Sequence, residues 1–315
     1  MTLRAAVISG PTAGGKSLLA LTVARLAETR KKPAVEIVSA DSVQVYAGFD
    51  IGSSKAPAAE RASVPHHLVD IRDPKLGPAA RYTAAEFLSD AVRTIGEISG
   101  RGHTPLVVGG SGLYLRALLK GLSGAPPVPE DVQAALEQEA DERGLPALRA
   151  ELETQDPVTA GIVKPGDRRR ILRALGVFRV TGRPLGDWNR EHGFRARPIE
   201  ARVFVLSPPR EELRRRIAVR TREMLERGLV SEVKNLLASG VPQDAPPFEA
   251  IGYKQVLKHL AEGAFRGPGE LEAEITLRTQ QYAKQQVTWW RSETDVEWVD
   301  PAAVSLEALA ERFPV

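Results

Sequence analysis

Residues 10–17 read Gly10-Pro11-Thr12-Ala13-Gly14-Gly15-Lys16-Ser17, which satisfies the spacing G-x-x-x-x-G-K-[ST]. Glycines at those positions let the backbone curl until its N–H groups converge on one anion. A lysine then supplies a mobile charge to the outer phosphate, and the hydroxyl after it is a ligand for Mg²⁺. The chemistry is polyphosphate binding; which polyphosphate, and which bond breaks, the pattern leaves open. Asp41 opens the short polar run Asp41-Ser42-Val43-Gln44-Val45-Tyr46. One carboxylate there suits three uses: base for a nucleophile, outer-shell partner of the magnesium, or plain turn cap. Asp50-Ile51-Gly52-Ser53-Ser54-Lys55 is either a loop whose lysine reaches a diphosphate or an ordinary surface loop. Val107-Val108-Gly109-Gly110-Ser111-Gly112 is a further glycine-rich turn, whose Ser111 could serve a nucleophile or a phosphate.

These residues need elements to hold them. Ala5–Ile8 reads as a buried strand before the first turn, and Leu18–Glu28 has helical spacing after it. That strand–loop–helix context is what a phosphate loop requires. Val35–Val38 is a second strand, closing just before Asp41, and Leu106–Val108 another, running into the third turn. His67–Ile71 is a further strand candidate, and Ala84–Ile98 has helical spacing. Short apolar strands alternating with helices predict a parallel sheet covered on both faces. In such sheets ligands bind beyond the carboxyl ends of the strands, so the turns after them face one crevice.

The character changes at the breaker-rich stretch Gly121–Pro129, after which residues 130–182 carry helical patterns and no clear strand. Arg202–Leu206 resumes the sheet, and the tail 210–291 is helical in pattern, broken near Gly240–Pro247 and Gly263–Gly269. The predicted fold is α/β: a phosphate-loop parallel-sheet core, with helices on both faces, over residues 1–122 and 200–315, interrupted by an all-helical insertion, 123–199. Trp289, Trp290 and Trp298 read as packing residues rather than platforms for bases.

With 315 residues, 43% hydrophobic and 26% charged, the chain has ordinary globular composition, which excludes a charge-rich disordered protein. It has no cysteine, so disulfides, thiolate catalysis and cysteine zinc sites are excluded. Apolar runs are too short to span a membrane, and Gly10 comes too soon for a signal-peptide core, so a cytoplasmic protein is expected. The net charge of +3 hides an asymmetry: residues 130–157 hold nine acids and two bases, residues 164–222 seventeen bases and six acids. All but one of those seventeen are arginines, the better fork for phosphate, which predicts contact with nucleic acid or polyphosphate.

Taken in order, these segments resemble one family, the tRNA dimethylallyltransferases or tRNA isopentenyltransferases. Its pattern runs G-P-T-A-x-G-K-[ST], S-x-D-S-x-Q-x-Y, D-I-G-[ST]-x-K and G-G-[ST]-x-L-Y. Here these are Gly10–Ser17, Ser39–Tyr46, Asp50–Lys55 and Gly109–Tyr114. Asp167–Leu175 resembles its D-P-Q-R-x-x-R-A-L, Ala250–Lys254 its A-I-G-Y-[KR], and Arg278–Arg291 its R-T-R-x-x-A-K-R-Q-x-T-W-[FL]-R. The chain departs from the pattern at Arg168-Arg169, where the family has Pro-Gln, and at Gln280 and Gln285, where it has arginine.

The resemblance implies transfer of a dimethylallyl group from dimethylallyl diphosphate to the exocyclic amine of the adenine 3′ of the anticodon, in tRNAs reading codons that begin with U. It implies Mg²⁺, a monomer, and an insertion that grips the anticodon stem-loop. By that resemblance Gly10, Pro11, Thr12, Ala13, Gly14, Gly15, Lys16 and Ser17 hold the diphosphate, with Ser17 on Mg²⁺. Lys16, Asp41 and Ser111 do the chemistry, Asp41 as the base. Asp41, Ser42, Val43 and Gln44 touch the target base and its neighbours. Arg169, Arg170, Ile171, Leu172 and Arg173, with Arg278 and Lys284, touch the RNA. A phosphate-loop kinase, an adenylate isopentenyltransferase and a non-catalytic RNA-binding module are the rival readings. The first two leave the arginine-rich insertion unexplained, and the third leaves Asp41 and the cradle without a task.

Overall fold

Six short strands form one parallel sheet in the computed structural model, which describes residues 2–193, 196–265, 268–301, 303 and 305–313. They are β1 (Arg4–Ser9), β2 (Val35–Ala40), β3 (His66–His67), β4 (Thr104–Gly109), β5 (Glu200–Leu206) and β6 (Val296–Val299), in the spatial order β3-β2-β4-β1-β5-β6. Alternation along the strands divides the core. Val7, Val38, Val107 and Val205 point to one face, packed with Phe87, Ile95, Leu115, Tyr253 and Trp290. Ala6, Ile8, Ile37, Leu106 and Phe204 point to the other, packed with Leu19, Val23 and Phe313. Every strand residue of β2 is buried, as a central parallel strand requires.

The helices are α1 (Lys16–Thr29), α2 (Ala58–Ser63), α3 (Ala84–Gly100), α4 (Gly112–Lys120), α5 (Glu130–Arg143), α6 (Leu145–Gln155) and α7 (Pro157–Ile162), followed by α8 (Arg168–Thr181) and α9 (Leu185–His192). The C-terminal set is α10 (Arg210–Glu226), α11 (Leu229–Ala238), α12 (Tyr253–Glu262), α13 (Pro268–Arg291) and α14 (Leu306–Ala310). Thr83 and Glu86 form a reciprocal capping box that starts α3. The break near Gly240–Pro247 separates α11 from α12; of the break near Gly263–Gly269, Arg266 and Gly267 lie outside the described residues.

Two strands differ from the sequence reading. The candidate His67–Ile71 shrinks to His66–His67, because Leu68 and Asp70 take left-handed backbone angles and the chain turns to donate Asp70 and Ile71 amides to Gln44 and Val45 carbonyls. β6, which pairs with β5 from Val203↔Val296 to Leu206↔Val299, has too short a run to announce itself.

The chain divides into two compact units, Met1–Leu119 with Pro198–Val315, and Lys120–Arg197. The second is helical, α5 to α9. Its core sets Ile171, Leu172 and Leu175 of α8 against Leu136, Leu148 and Leu152. Its acidic run is internally paired: Arg168 bonds Glu137 and Asp141, while Arg179 bridges Glu139 and Glu151. Part of the arginine excess expected on phosphate is therefore neutralised within the unit.

Candidate active site

Ser9, Ala40 and Gly109 end β1, β2 and β4, and β4 lies between the other two. The three turns that follow therefore open at the same edge of the sheet. The first turn needs glycine at its start: Gly10 has φ +136°, and a Cβ there would lie 2.5 Å from the Leu206 carbonyl oxygen of the neighbouring strand. Lys16, the first residue of α1, folds back over the turn and donates from Nζ to the carbonyls of Gly10 (3.1 Å) and Pro11 (2.8 Å). Burial and the nearby Arg220 charge lower its pKa to about 8, against the opposing pull of Asp41. Ser17 follows in the first turn of the helix, exposed.

The second turn is built on Asp41. Its Oδ1 accepts the backbone N–H groups of Val43 (2.9 Å) and Gln44 (3.3 Å), so one oxygen caps the turn. The Gln44 side chain accepts from Ser39 Oγ (3.2 Å) and donates to the Ser53 carbonyl (3.3 Å). The third turn holds the second: the Ser42 N–H donates to Ser111 Oγ (3.1 Å), and the Ser111 hydroxyl donates to Ser42 Oγ (3.4 Å). Ser111 thus acts on the residue next to Asp41 rather than on its carboxylate.

The C-terminal helices bring groups that motif spacing alone does not single out. Arg220 of α10 donates to Thr12 Oγ1 (2.9 Å), and its guanidinium, its pKa lowered by burial, feels the charge of Asp41. Arg216, one turn earlier, sits beside Gly15, its guanidinium nitrogen 3.8 Å from where a Cβ would stand. Their i, i+4 spacing within the arginine run was the available signal: both lie against the phosphate loop rather than in the insertion, Arg220 bonded to it and Arg216 paired with Glu212 (2.7 Å). On α13, Gln286 bonds both the first and third turns, and Tyr282 lies one turn away on the same face. Burial, then the Asp41 carboxylate, push the Tyr282 hydroxyl up to about 12.

Other expected residues fall elsewhere. Lys55 is buried, with Nζ on Asp50 Oδ1 (2.6 Å), Asp70 Oδ1 (2.5 Å) and the Tyr46 carbonyl (3.0 Å), so its three donors are used and it reaches no diphosphate. The Asp50, Ile51 and Gly52 N–H groups converge on the Glu232 carboxylate of α11, which also accepts from the Tyr253 hydroxyl (2.7 Å). Asp50–Lys55 and Ala250–Lys254 are thereby two halves of one structural joint. Lys284 is exposed, about half a turn around α13 from Tyr282 and Gln286. Arg278 shares their face by spacing and bonds Glu274 (2.7 Å). In the helical unit, Arg169 and Arg170 are exposed, and Arg173 is half-buried with one guanidinium bond, to the Ala125 carbonyl (3.4 Å). Ile171 and Leu172, expected on RNA, instead bury their side chains in that unit's core. Trp290 is buried and Trp289 partly so, as packing residues; Trp298 is 39% exposed on the outermost strand.

A phosphate loop with convergent cations, opposite one carboxylate at the carboxyl edge of a parallel sheet, defines the class: a phosphate-loop protein arranged for group transfer. Among known proteins, the family described as IPP transferase matches residues 44–293, and the chain belongs to that family. It is 45% identical to "tRNA dimethylallyltransferase 1" of Trichlorobacter lovleyi, across 95% of this chain and 94% of that protein. It is 41% identical to the tRNA dimethylallyltransferase of Geobacter metallireducens, across 94% and 92% of the two chains. The crystal structure of a tRNA isopentenylpyrophosphate transferase from Bacillus halodurans superposes with TM-score 0.69 at 32% identity, over 98% of this chain and 93% of that one. A eukaryotic dimethylallyltransferase acting on tRNA superposes with TM-score 0.76 at 26% identity, over 94% of this chain and 73% of that one.

Proposed function

We propose that this chain transfers a dimethylallyl group from dimethylallyl diphosphate to the exocyclic N6 amine of the adenine 3′ of the anticodon, in tRNAs reading codons that begin with U, releasing diphosphate. The observation that carries the reading is geometric: Lys16 closes over the first turn, Arg220 bonds Thr12 in it, and Asp41 caps the second turn at the same edge of the sheet, so the cradle's cations and a carboxylate share one crevice. Family membership supports the same reaction.

Prenyl transfer breaks an allylic carbon–oxygen bond, and negative charge grows on the departing diphosphate. Lys16, Arg220 and the turn's remaining N–H groups would face that charge as it develops, while the Thr12 and Gly14 N–H groups are held by Gln286 and the Pro11 carbonyl. The adenine amine attacks the allylic carbon as the bond opens and gives up one proton. With Asp41 Oδ1 committed to two backbone amides, Oδ2 is the oxygen that takes it. Ser111 keeps the Asp41 turn in place through Ser42.

Among the described residues no group of three or more acidic or histidine side chains could hold a metal unaided. Magnesium fits the remaining donor chemistry, since it binds through one protein oxygen plus phosphate oxygens and water. Ser17 would hold it, and the ion would neutralise charge on the diphosphate. Arg169, Arg170 and Arg173 would meet the phosphates and loop of the anticodon arm, offsetting the few kcal/mol it costs to unstack the target base. No helix among the described residues is long and apolar enough to cross a membrane. A monomer working where tRNA is, in the cytoplasm, completes the reading.

The test is incubation with labelled dimethylallyl diphosphate and either unmodified tRNA or AMP. Label in tRNA is expected. Label in AMP alone, or ATP hydrolysis stimulated by a small metabolite, would overturn the reading.

A further inference from the structure

Gln286 is 8% exposed, and both ends of its side-chain amide are used. Oε1 accepts the Thr12 N–H (2.8 Å) and Nε2 donates to the Gly110 carbonyl (2.9 Å). Thr12 belongs to the phosphate turn; Gly110 precedes Ser111, which holds the N–H of Ser42 beside Asp41. A Cβ at 110 would stand 2.5 Å from Nε2, so a side chain there would displace the Gln286 amide. One turn on, Trp290 Nε1 donates to Ser9 Oγ (2.9 Å), and Ser9 Oγ donates to the Gly109 carbonyl (2.8 Å). The same face of α13 thus ties β1's exit to β4's exit twice, once below the turns through Trp290 and once between them through Gln286.

We propose that Gln286 is a positioning residue: it sets the separation between the cradle that holds the leaving group and the turns that hold the base. The role rests on the prenyl-transfer reading. Gln286 touches neither diphosphate nor adenine; it acts through Thr12 on one side and through Gly110, Ser111 and Ser42 on the other. Attack on an allylic carbon needs nucleophile and leaving group held in line, and misplacement by about an ångström costs on the order of a hundredfold in rate. The two turns share no other side-chain bridge of this kind among the described residues.

Gln286→Asn keeps both polar groups but is one methylene too short to reach both turns. Gln286→Glu keeps the acceptor for Thr12 and turns a carboxylate oxygen on the Gly110 carbonyl. In the full chain, each variant is expected to slow single-turnover prenyl transfer by about a hundredfold. Affinities for diphosphate and for tRNA, measured by calorimetry, should stay within about twofold, because each half-site is intact. An unchanged rate with a lowered melting temperature would make Gln286 a fold residue only and end the proposal. A loss of diphosphate affinity in proportion to the rate would assign it to the anion cradle instead. A wild-type chain that prenylates nothing would overturn the prenyl-transfer reading itself, which these variant results do not touch.

Discussion

Lys16 carries the pH dependence of the site. Burial and Arg220 lower its pKa to about 8 in the free protein, so the cradle loses a cation as pH rises through that value. A bound diphosphate is an opposite charge and moves that pKa back up. The kcat/KM for the prenyl donor, which reports the free enzyme, should therefore fall above about pH 8, while kcat holds its plateau further into alkali. A kcat/KM flat to pH 10 would contradict this. Asp41 is the complementary case. Asp41→Ala is expected to lower the single-turnover rate by about 10²–10⁴-fold, the usual worth of a positioned base. Filter binding should find tRNA affinity nearly unchanged. Both residues were legible from spacing, because a phosphate loop and a polar turn after a strand are local patterns. Lys55 was not: its ring of acceptors includes Asp70, fifteen positions away across a turn that no periodicity announces.

At the scale of elements, Glu232 ties α11 to the Asp50–Gly52 backbone. Glu232→Leu would strand those N–H groups and the Tyr253 hydroxyl. Destabilisation of about 2–4 kcal/mol by chemical denaturation is expected, since each buried unpaired group costs about 1–3 kcal/mol. Activity per folded molecule should change little. Helix α8 makes a different prediction. Arg168 is spent on Glu137 and Asp141, whereas Arg173 pairs with no carboxylate among the described residues and bonds the Ala125 carbonyl instead, and burial lowers its pKa. Arg173→Ala should weaken tRNA binding and reduce the salt slope of its affinity by about one, the signature of one lost phosphate contact. Arg168→Ala should leave the slope unchanged. Helical periodicity located α8 but not which of its faces is spent internally, because that depends on where α5 and α6 lay their acids.

At the scale of the molecule, one buried carboxylate fastens three neighbouring strands. Glu36 of β2 accepts from His67 Nε2 (2.6 Å), His103 Nδ1 (2.6 Å) and Arg101 (2.8 Å), groups at or beside β3 and β4. Burial alone would raise its pKa, but the bonds from His103, His67 and Arg101 outweigh it and hold the carboxyl at about 2. A group whose native pKa lies below its ordinary value of 4.5 stabilises the fold above that value and loses the contribution as pH falls toward 2. Thermal melts should show Glu36→Gln less stable than wild type at neutral pH, with the gap closing between about pH 4.5 and pH 2. A gap independent of pH would mean packing, not charge, is what the substitution removes. By itself the sequence determined the parallel α/β core, its helical interruption, the phosphate turn and the carboxylate that faces it, because strand alternation, helix spacing and glycine turns are written within a few neighbouring residues. Only the tertiary structure decided that Arg220 and Gln286 reach the cradle, that Lys55 and Glu232 are joints, and that much of the arginine excess is already paired. Those outcomes depend on contacts between residues far apart in the chain, and a hydrogen bond spanning 274 positions, as from Thr12 to Gln286, leaves no local trace.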